Sequence, residues 1–282
     1  MTTRGDARAS AVEALRRVGD TTAALDADLL LAHVLGLPKE SLYAHLDADL
    51  APTEAAAYEA AVERRAAGEP IAYIRGYKEF FGLRFAVDPR VLIPRPETET
   101  LVEAALAFIR SERRFRVADV GTGSGAIAVA LAVSEPRVRV VATDISSDAL
   151  AVARANAVAH GVGDRVDLRE GDLLSPVDVP ADVVAANLPY LTDDPARWTG
   201  QRSSLSFEPR AAVVAGSDGL AVISRLVVQL PDKLAPGGAA FLECDPAQAD
   251  AVAALLRSAS LSGTRIIDDL SGAPRVVAGE RR

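Results

Sequence analysis

Hydrophobic positions along this chain change their period twice. Over residues 6–67 they recur at helical spacing. Leu25, Leu29, Leu30, Val34 and Leu35 form one stripe that stops at Gly36, and a second helix is predicted from Pro52 to Ala67, with Gly68 behind it. From Tyr73 to Pro94 aromatic and β-branched residues take over, among them Ile74, Tyr77, Phe80, Phe81, Phe85 and Val87, punctuated by Gly82 and Asp88-Pro89. A β-hairpin is predicted there. Pro94 and Pro96 stiffen the backbone, and Glu97-Thr98-Glu99 places negative charge in the first turn of a following helix.

Beyond this bridge, strands and helices alternate. Strands are predicted at Arg116–Val120, Val138–Thr143, Val166–Leu168, Asp182–Ala186, Ala239–Cys244, Thr264–Asp268 and Pro274–Ala278. Helices fall at Ala126–Val133, Asp148–Ala159, Leu220–Leu234 and Ala249–Ser258. The alternation predicts an α/β fold whose mainly parallel sheet is covered on both faces. The expected organisation is a helical domain over 1–72, a hairpin linker over 73–96 and an α/β domain over 97–282.

Composition narrows the class. A chain of 282 residues, 49% hydrophobic and 25% charged, has an ordinary globular balance. A net charge of −8 and a pI near 5.1 weigh against a broad nucleic-acid footprint, which needs a basic face. Cys244 is the one cysteine, so there is no disulfide framework and a reducing compartment is expected. No signal-peptide core or membrane-length apolar run is found, and the cytoplasm is the expected location. His33, His45 and His160 are scattered without ligand spacing, so no metal site is expected.

The chemistry concentrates at strand ends. Asp119-Val120-Gly121-Thr122-Gly123-Ser124-Gly125-Ala126 joins a strand to a helix, where glycines let backbone approach a ligand and helix N–H groups face an anionic part. Gly121, Gly123 and Ala126 also satisfy the dinucleotide pattern, which leaves a nicotinamide or flavin enzyme open. Asp144, ending the next strand, is a carboxylate for two ribose hydroxyls or, alternatively, a helix cap, a task open to Ser146 or Ser147. Asp172 is placed to accept from an adenine amine with Leu173 against the ring, or is simply a turn residue after Gly171.

Asn187-Leu188-Pro189-Tyr190 follows the strand Asp182–Ala186 and decides between these classes. An Asn amide and a Tyr face can hold a planar, weakly basic nitrogen, which hydride transfer does not need and amino-group methylation does.

With these strings in view, the chain resembles the HemK/PrmC-type methyltransferases nearly end to end. Gly68-Glu69-Pro70-Ile71-Ala72-Tyr73-Ile74 with Gly76, Glu79-Phe80 and Gly82 is similar to that family's linker. Leu92-Ile93-Pro94-Arg95-Pro96-Glu97-Thr98-Glu99 is similar to its most distinctive string. Phe207-Glu208-Pro209-Arg210 and Gly216-Ser217-Asp218-Gly219-Leu220 also fit. The resemblance implies a Rossmann-like S-adenosylmethionine-dependent methyltransferase fold on a mainly parallel seven-stranded sheet, with a small N-terminal helical domain joined by a β-hairpin.

It also implies methyl transfer to the glutamine amide of the Gly-Gly-Gln motif in peptide chain release factors, gripped by residues 1–72. The alternatives are another planar nitrogen, in a ribosomal-protein glutamine or an adenine or guanine of nucleic acid, and a non-catalytic cofactor-binding scaffold. The acidic charge and the helical N-terminal unit weigh against nucleic acid, and neither direct nucleic-acid binding nor membrane binding is expected. The donor is expected on Gly121, Thr122, Gly123, Ser124, Gly125, Asp144, Asp172, Leu173 and Asn187. The target amide is expected on Asn187, Leu188, Pro189 and Tyr190, Tyr190 stacking on its plane. The chain departs at Leu188, where the family usually has a first proline whose carbonyl contacts the amide. Leu188 keeps the carbonyl, and Pro189 biases it toward an extended backbone.

Overall fold

The computed structural model describes residues 2–194 and 204–282. Two compact units emerge: one from residues up to Tyr77 with the segment ending at Phe207, the other from Lys78 onward, including Glu208–Arg282.

The first unit is helical. It contains α1 (Arg4–Arg17), α2 (Ala23–Leu35), α3 (Lys39–Leu42), α4 (Pro52–Ala66) and α5 (Ile71–Arg75). Thr3 caps α1 by accepting the Asp6 N–H at 3.1 Å, and Gly36 ends α2 at φ 64°, a left-handed stop that glycine takes without strain. Leu15, Leu30, Leu31, Leu42, Tyr58 and Ile74 fill the core. Each buried leucine contributes roughly 1.5–3 kcal/mol of transfer free energy. The expected α2 stripe is corrected here. Leu25 is 45% exposed, and Ala23 and Ala27 line the buried face with Leu30 and Leu31.

The hairpin is shorter than its β-prone residues predict. Tyr73 and Ile74 lie in α5, which opens after Pro70 and closes on Gly76 at φ 75°. Burial of both side chains overrides their strand preference. The hairpin proper pairs β1 (Tyr77–Phe80) with β2 (Leu83–Ala86). Phe81 and Gly82 form its turn, with φ of 52° and 71°. Two positive φ values give the turn whose twist matches paired strands.

The second unit carries a seven-stranded sheet of order β5-β4-β3-β6-β7-β9-β8. Its members are β3 (Arg116–Val120), β4 (Arg139–Asp144), β5 (Val166–Glu170), β6 (Ala181–Ala186), β7 (Leu234–Glu243), β8 (Ser262–Asp268) and β9 (Pro274–Glu280). The strands from β5 to β7 in that order run parallel, and β9 is antiparallel to both its neighbours. All six β6 residues are buried, as expected for a central strand with helices on both faces. One face is covered by α6 (Thr98–Glu112) and α7 (Ala126–Ser134), around Leu101, Ile109, Leu131 and Phe241. The other is covered by α9 (Ala221–Lys233) and α10 (Ala249–Ser258), around Ile223, Leu230, Val252 and Leu256. A further helix, α8 (Ser147–Ala159), follows β4.

Chain order reverses between β3 and β6, and the register sets Val120 beside Thr143 on one side and Ala186 on the other. An open α/β sheet forms its ligand crevice at that switch point.

Candidate active site

The loop after β3 is held from below. The buried Asp119 carboxylate accepts the Thr122 hydroxyl at 2.6 Å and the Ala128 N–H at 3.1 Å, and burial pushes its pKa up to about 7. The Gly121 and Thr122 N–H groups donate to the Thr143 carbonyl at 2.8 and 2.9 Å. Gly125 caps α7 at φ 81°, and a β-carbon there would lie 3.2 Å from Ala153 of α8. Thr122, Ser124 and Gly125 thus support the loop from behind, and none of them lines the cavity in front of it.

That cavity is about 400 Å³ in volume. Gly121, Gly123, Asp144, Asp172, Leu173 and Asn187 all border it, as do Leu188 and Pro189. One Asp144 oxygen accepts the Gly123 N–H and the other the Ser146 N–H, each at 2.9 Å. Burial raises its pKa against these backbone bonds. A carboxylate offers about four acceptor positions, so capacity remains for a ligand hydroxyl. The capping of α8 falls to Ser146, whose hydroxyl accepts the Ala149 N–H at 3.2 Å. Asp172 is ion-paired with Arg225 of α9 across the cavity rim. Sequence reading does not supply this partner. Ile145, 70% exposed, adds an apolar surface next to Asp144.

A wider groove of about 600 Å³ lies at the amino ends of β3, β4 and β5. Of its arginines, Arg116 pairs with Asp182 and Arg169 with Asp167 and Asp178. Ligands of such sheets bind at the opposite, carboxyl ends.

At the carboxyl end of β6 the Asn187 Nδ2 donates to the Thr98 hydroxyl oxygen at 3.0 Å. Thr98 is buried at the start of α6, and Glu243 is buried at the end of β7. Burial raises Glu243 to about 7. Leu188 is buried, with its side chain among the core residues of the α9–α10 face. Tyr190 is half-buried outside the cavity lining, and burial raises its phenol to about 12. Its carbonyl accepts from Gln248 Nε2 at 3.0 Å. Gly219, at φ 72°, passes so close that a β-carbon would meet the Tyr190 oxygen at 2.2 Å. This explains a glycine within Gly216–Leu220.

Further residues complete the site's frame. Glu208 accepts the Ile93 N–H at 3.3 Å and pairs with Arg95 at 2.5 Å, tying Leu92–Glu99 to Phe207–Arg210. Burial raises Glu208 while Arg95 pulls it back. Asn156 of α8 holds the hairpin end, accepting the Ala86 N–H at 2.8 Å and donating to the carbonyls of Ala86 at 3.0 Å and Ser124 at 2.8 Å. Cys244 is fully buried, and burial raises its thiol to about 12, the state of an inert core side chain. Among the described residues no group of three or more His, Cys, Asp or Glu is placed to hold a metal, and no helix is long and apolar enough to cross a membrane.

The donor set suits S-adenosylmethionine. Asp144 offers hydroxyl acceptors, Ile145 and Leu173 offer apolar surface for a ring, and Gly121 and Gly123 allow close backbone approach.

Comparison with known proteins agrees. Residues 6–76 match the PrmC N-terminal domain and residues 98–199 the methyltransferase small domain. The release factor glutamine methyltransferase of Bordetella pertussis is 42% identical over 90% of this chain and 94% of its own. That of Koribacter versatilis is 40% identical over 96% of each. The T. thermophilus 16S rRNA N2 G1207 methyltransferase, solved with AdoMet and guanosine, shares the fold at 18% identity, with a TM-score of 0.53 over 73% of this chain and 50% of its own. At this identity and coverage the chain belongs to the release factor glutamine methyltransferase family and is an S-adenosylmethionine-dependent methyltransferase.

Proposed function

We propose that the crevice between β3 and β6 holds the methyl donor against the glutamine side chain of the Gly-Gly-Gln motif in a release factor. Gly121 and Gly123 admit the donor's backbone-facing part, Asp144 takes its ribose hydroxyls, and Asp172 with Leu173 borders its adenine. Thr122, Ser124 and Gly125 act by shaping that loop. When bound, S-adenosylmethionine supplies a methyl on a sulfonium, whose departure as a neutral thioether requires no acid from the protein.

An amide nitrogen is a weak nucleophile because its lone pair is delocalised, so orientation carries most of the acceleration. The Asn187 Oδ1 and the Leu188 carbonyl accept the two amide hydrogens and favour the positive charge developing on nitrogen. The nitrogen then loses one of those protons to solvent to give the neutral N-methyl amide. Pro189 walls this end of the cavity. The observation that carries this reading is the Asn187 amide, anchored through its nitrogen to Thr98 at the edge of the cavity that Asp144 also borders. Residues 1–72 grip the protein substrate. The chain's charge of −8 supports a protein target over nucleic acid, and the cytoplasm, where release factors work, is the proposed location.

The test is incubation of the protein with labelled S-adenosylmethionine and a release factor, followed by peptide mass spectrometry. The methyl is expected on the Gly-Gly-Gln glutamine, and Asn187→Ala should lower turnover by about 100-fold with donor affinity largely kept. A methyl located elsewhere, or near-normal turnover of that variant, overturns the reading.

A further inference from the structure

We infer that Arg225 and Gln229 of α9 are positioning residues: they fix the turn Asp172–Leu173 beside the donor's adenine and so make the site selective for a ring that carries an exocyclic amine. The inference rests on the proposed placing of Asp172 and Leu173 next to that ring.

The turn is held in a conformation that its own residues do not favour. Leu173 has φ 53°, in the left-handed region that a bulky side chain seldom occupies. Such a backbone persists only where its surroundings over-determine it, and this one borders the cavity. Two of the restraints come from β4. The Gly171 N–H donates to the Asp144 carbonyl at 2.9 Å, and the Thr143 hydroxyl donates to the Leu173 carbonyl at 2.8 Å. The other two come from α9. Gln229 Oε1 accepts the Leu174 N–H at 2.9 Å, and Arg225 pairs with the Asp172 carboxylate. The turn after β5 is therefore pinned from a neighbouring strand on one side and from a helix on the other.

Arg225 and Gln229 are spaced i, i+4, which stacks them on one face of α9. Val222, one turn before Arg225, lines the cavity together with it. The same helix face thus reaches both the turn and the ligand space.

Exposure shows what the ion pair is for. The Arg225 and Asp172 side chains are 57% and 42% exposed, a setting in which an ion pair adds little to folding stability. Its effect is on orientation. The Arg225 guanidinium takes the Asp172 Oδ2, so the lone pairs of Oδ1 are the ones left for a ligand. A carboxylate only accepts. An adenine meets it with the hydrogens of its 6-amine, whereas a 6-oxo ring sets an oxygen against an oxygen. A site built around a hydrogen-bonding group rejects an analogue that cannot answer it.

Calorimetry with two ligands tests this role: S-adenosylhomocysteine, and S-inosylhomocysteine, in which an oxo group replaces the amine. The ratio of two affinities measured on one protein cancels any loss of folded material, so a change in packing alone does not move it. The wild type should prefer the amino ligand by about tenfold or more, the worth of one hydrogen bond to a charged group. Asp172→Ala should reduce that preference to about twofold or less. Arg225→Ala and Gln229→Leu should each reduce it to about threefold or less, and neither should reduce it further in the Asp172→Ala background, because both act through that turn. Arg225→Lys, which keeps a cation within reach of Oδ2, should retain most of it. Full preference in Arg225→Ala and Gln229→Leu, beside a lost one in Asp172→Ala, overturns the inference and leaves the proposed function standing. A wild type without preference, or a preference that survives Asp172→Ala, overturns the placing of adenine at Asp172 and the inference with it.

Discussion

The Leu188 Cδ2 methyl lies 2.9 Å from the point a β-carbon on Gly121 would occupy. One residue belongs to the loop after β3 and the other to the strand end after β6, so their contact closes the sheet's switch point from both sides. Gly121 also sits at φ 71°, a conformation that side chains rarely adopt. Two independent penalties thus fall on any side chain at 121. Gly121→Ala is expected to cost about 2–4 kcal/mol, combining left-handed backbone strain with overpacking. Urea denaturation measures it, and a loss below about 0.5 kcal/mol would contradict the contact.

Leu188 is 4% exposed and packs into the α9–α10 core while its carbonyl remains available. Leu188→Ala should therefore cost about 2–4 kcal/mol of stability through the cavity it opens. Turnover measured below the melting range should stay within about threefold, because the carbonyl is unchanged. The double variant with Gly121→Ala should be less destabilised than the sum of the singles, since the clash partner is gone. Strict additivity would show that the two sites do not touch.

What was legible in the sequence was local. Gly121 to Gly125, Asp144 and Asn187 each stand at the end of a strand whose apolar run announces it, and the topology then brings Gly121, Asp144 and Asn187 to one cavity. The unread residues act across long chain separations. Thr98 is 89 residues from Asn187, Asn156 is 70 from Ala86, and Arg225 is 53 from Asp172. No periodicity reports such pairs. Thr98 was visible as a first-turn residue of α6, but its partner was not. The hairpin was overextended for a different reason. Tyr73 and Ile74 carry strand preference, yet both are buried as part of α5, Ile74 in the core of the helical unit.

Asn156 offers a direct check on how the hairpin is joined to the glycine loop. Its amide is 2% exposed and serves three backbone groups, the Ala86 N–H and carbonyl and the Ser124 carbonyl. Asn156→Ala leaves these without their partner and should cost about 2–4 kcal/mol, since stranded backbone groups lose their full desolvation compensation. Asn156→Asp keeps the acceptor and loses both donor bonds. Equal stability of Asn156→Ala and the wild type in urea would disprove the linkage.

Buried carboxyls set how stability responds to pH. Asp119 and Glu243 are both raised to about 7 by burial, and Asp144, Glu208 and Asp26 are shifted the same way. In the unfolded chain these groups titrate near the ordinary value of about 4. Between about pH 4 and 7 the native state therefore binds more protons than the unfolded state, and stability falls as pH rises through that window. Groups with lowered values act with the opposite sign but lower down. Glu135 and Asp269 are held at about 2 by Arg137 and by hydrogen bonds from Ser271, and Asp20, Asp88 and Asp182 are shifted the same way. Their contribution is confined to about pH 5 and below, where the unfolded carboxylates titrate. The melting temperature should accordingly be higher at pH 5.5 than at pH 8. Asp119→Asn keeps an oxygen for Thr122 and Ala128 but cannot ionise, so it should flatten the slope between those two pH values. A melting temperature that rises from pH 5.5 to 8, or a slope identical in the variant, would mean that the Asp119 carboxyl is not confined as the fold requires.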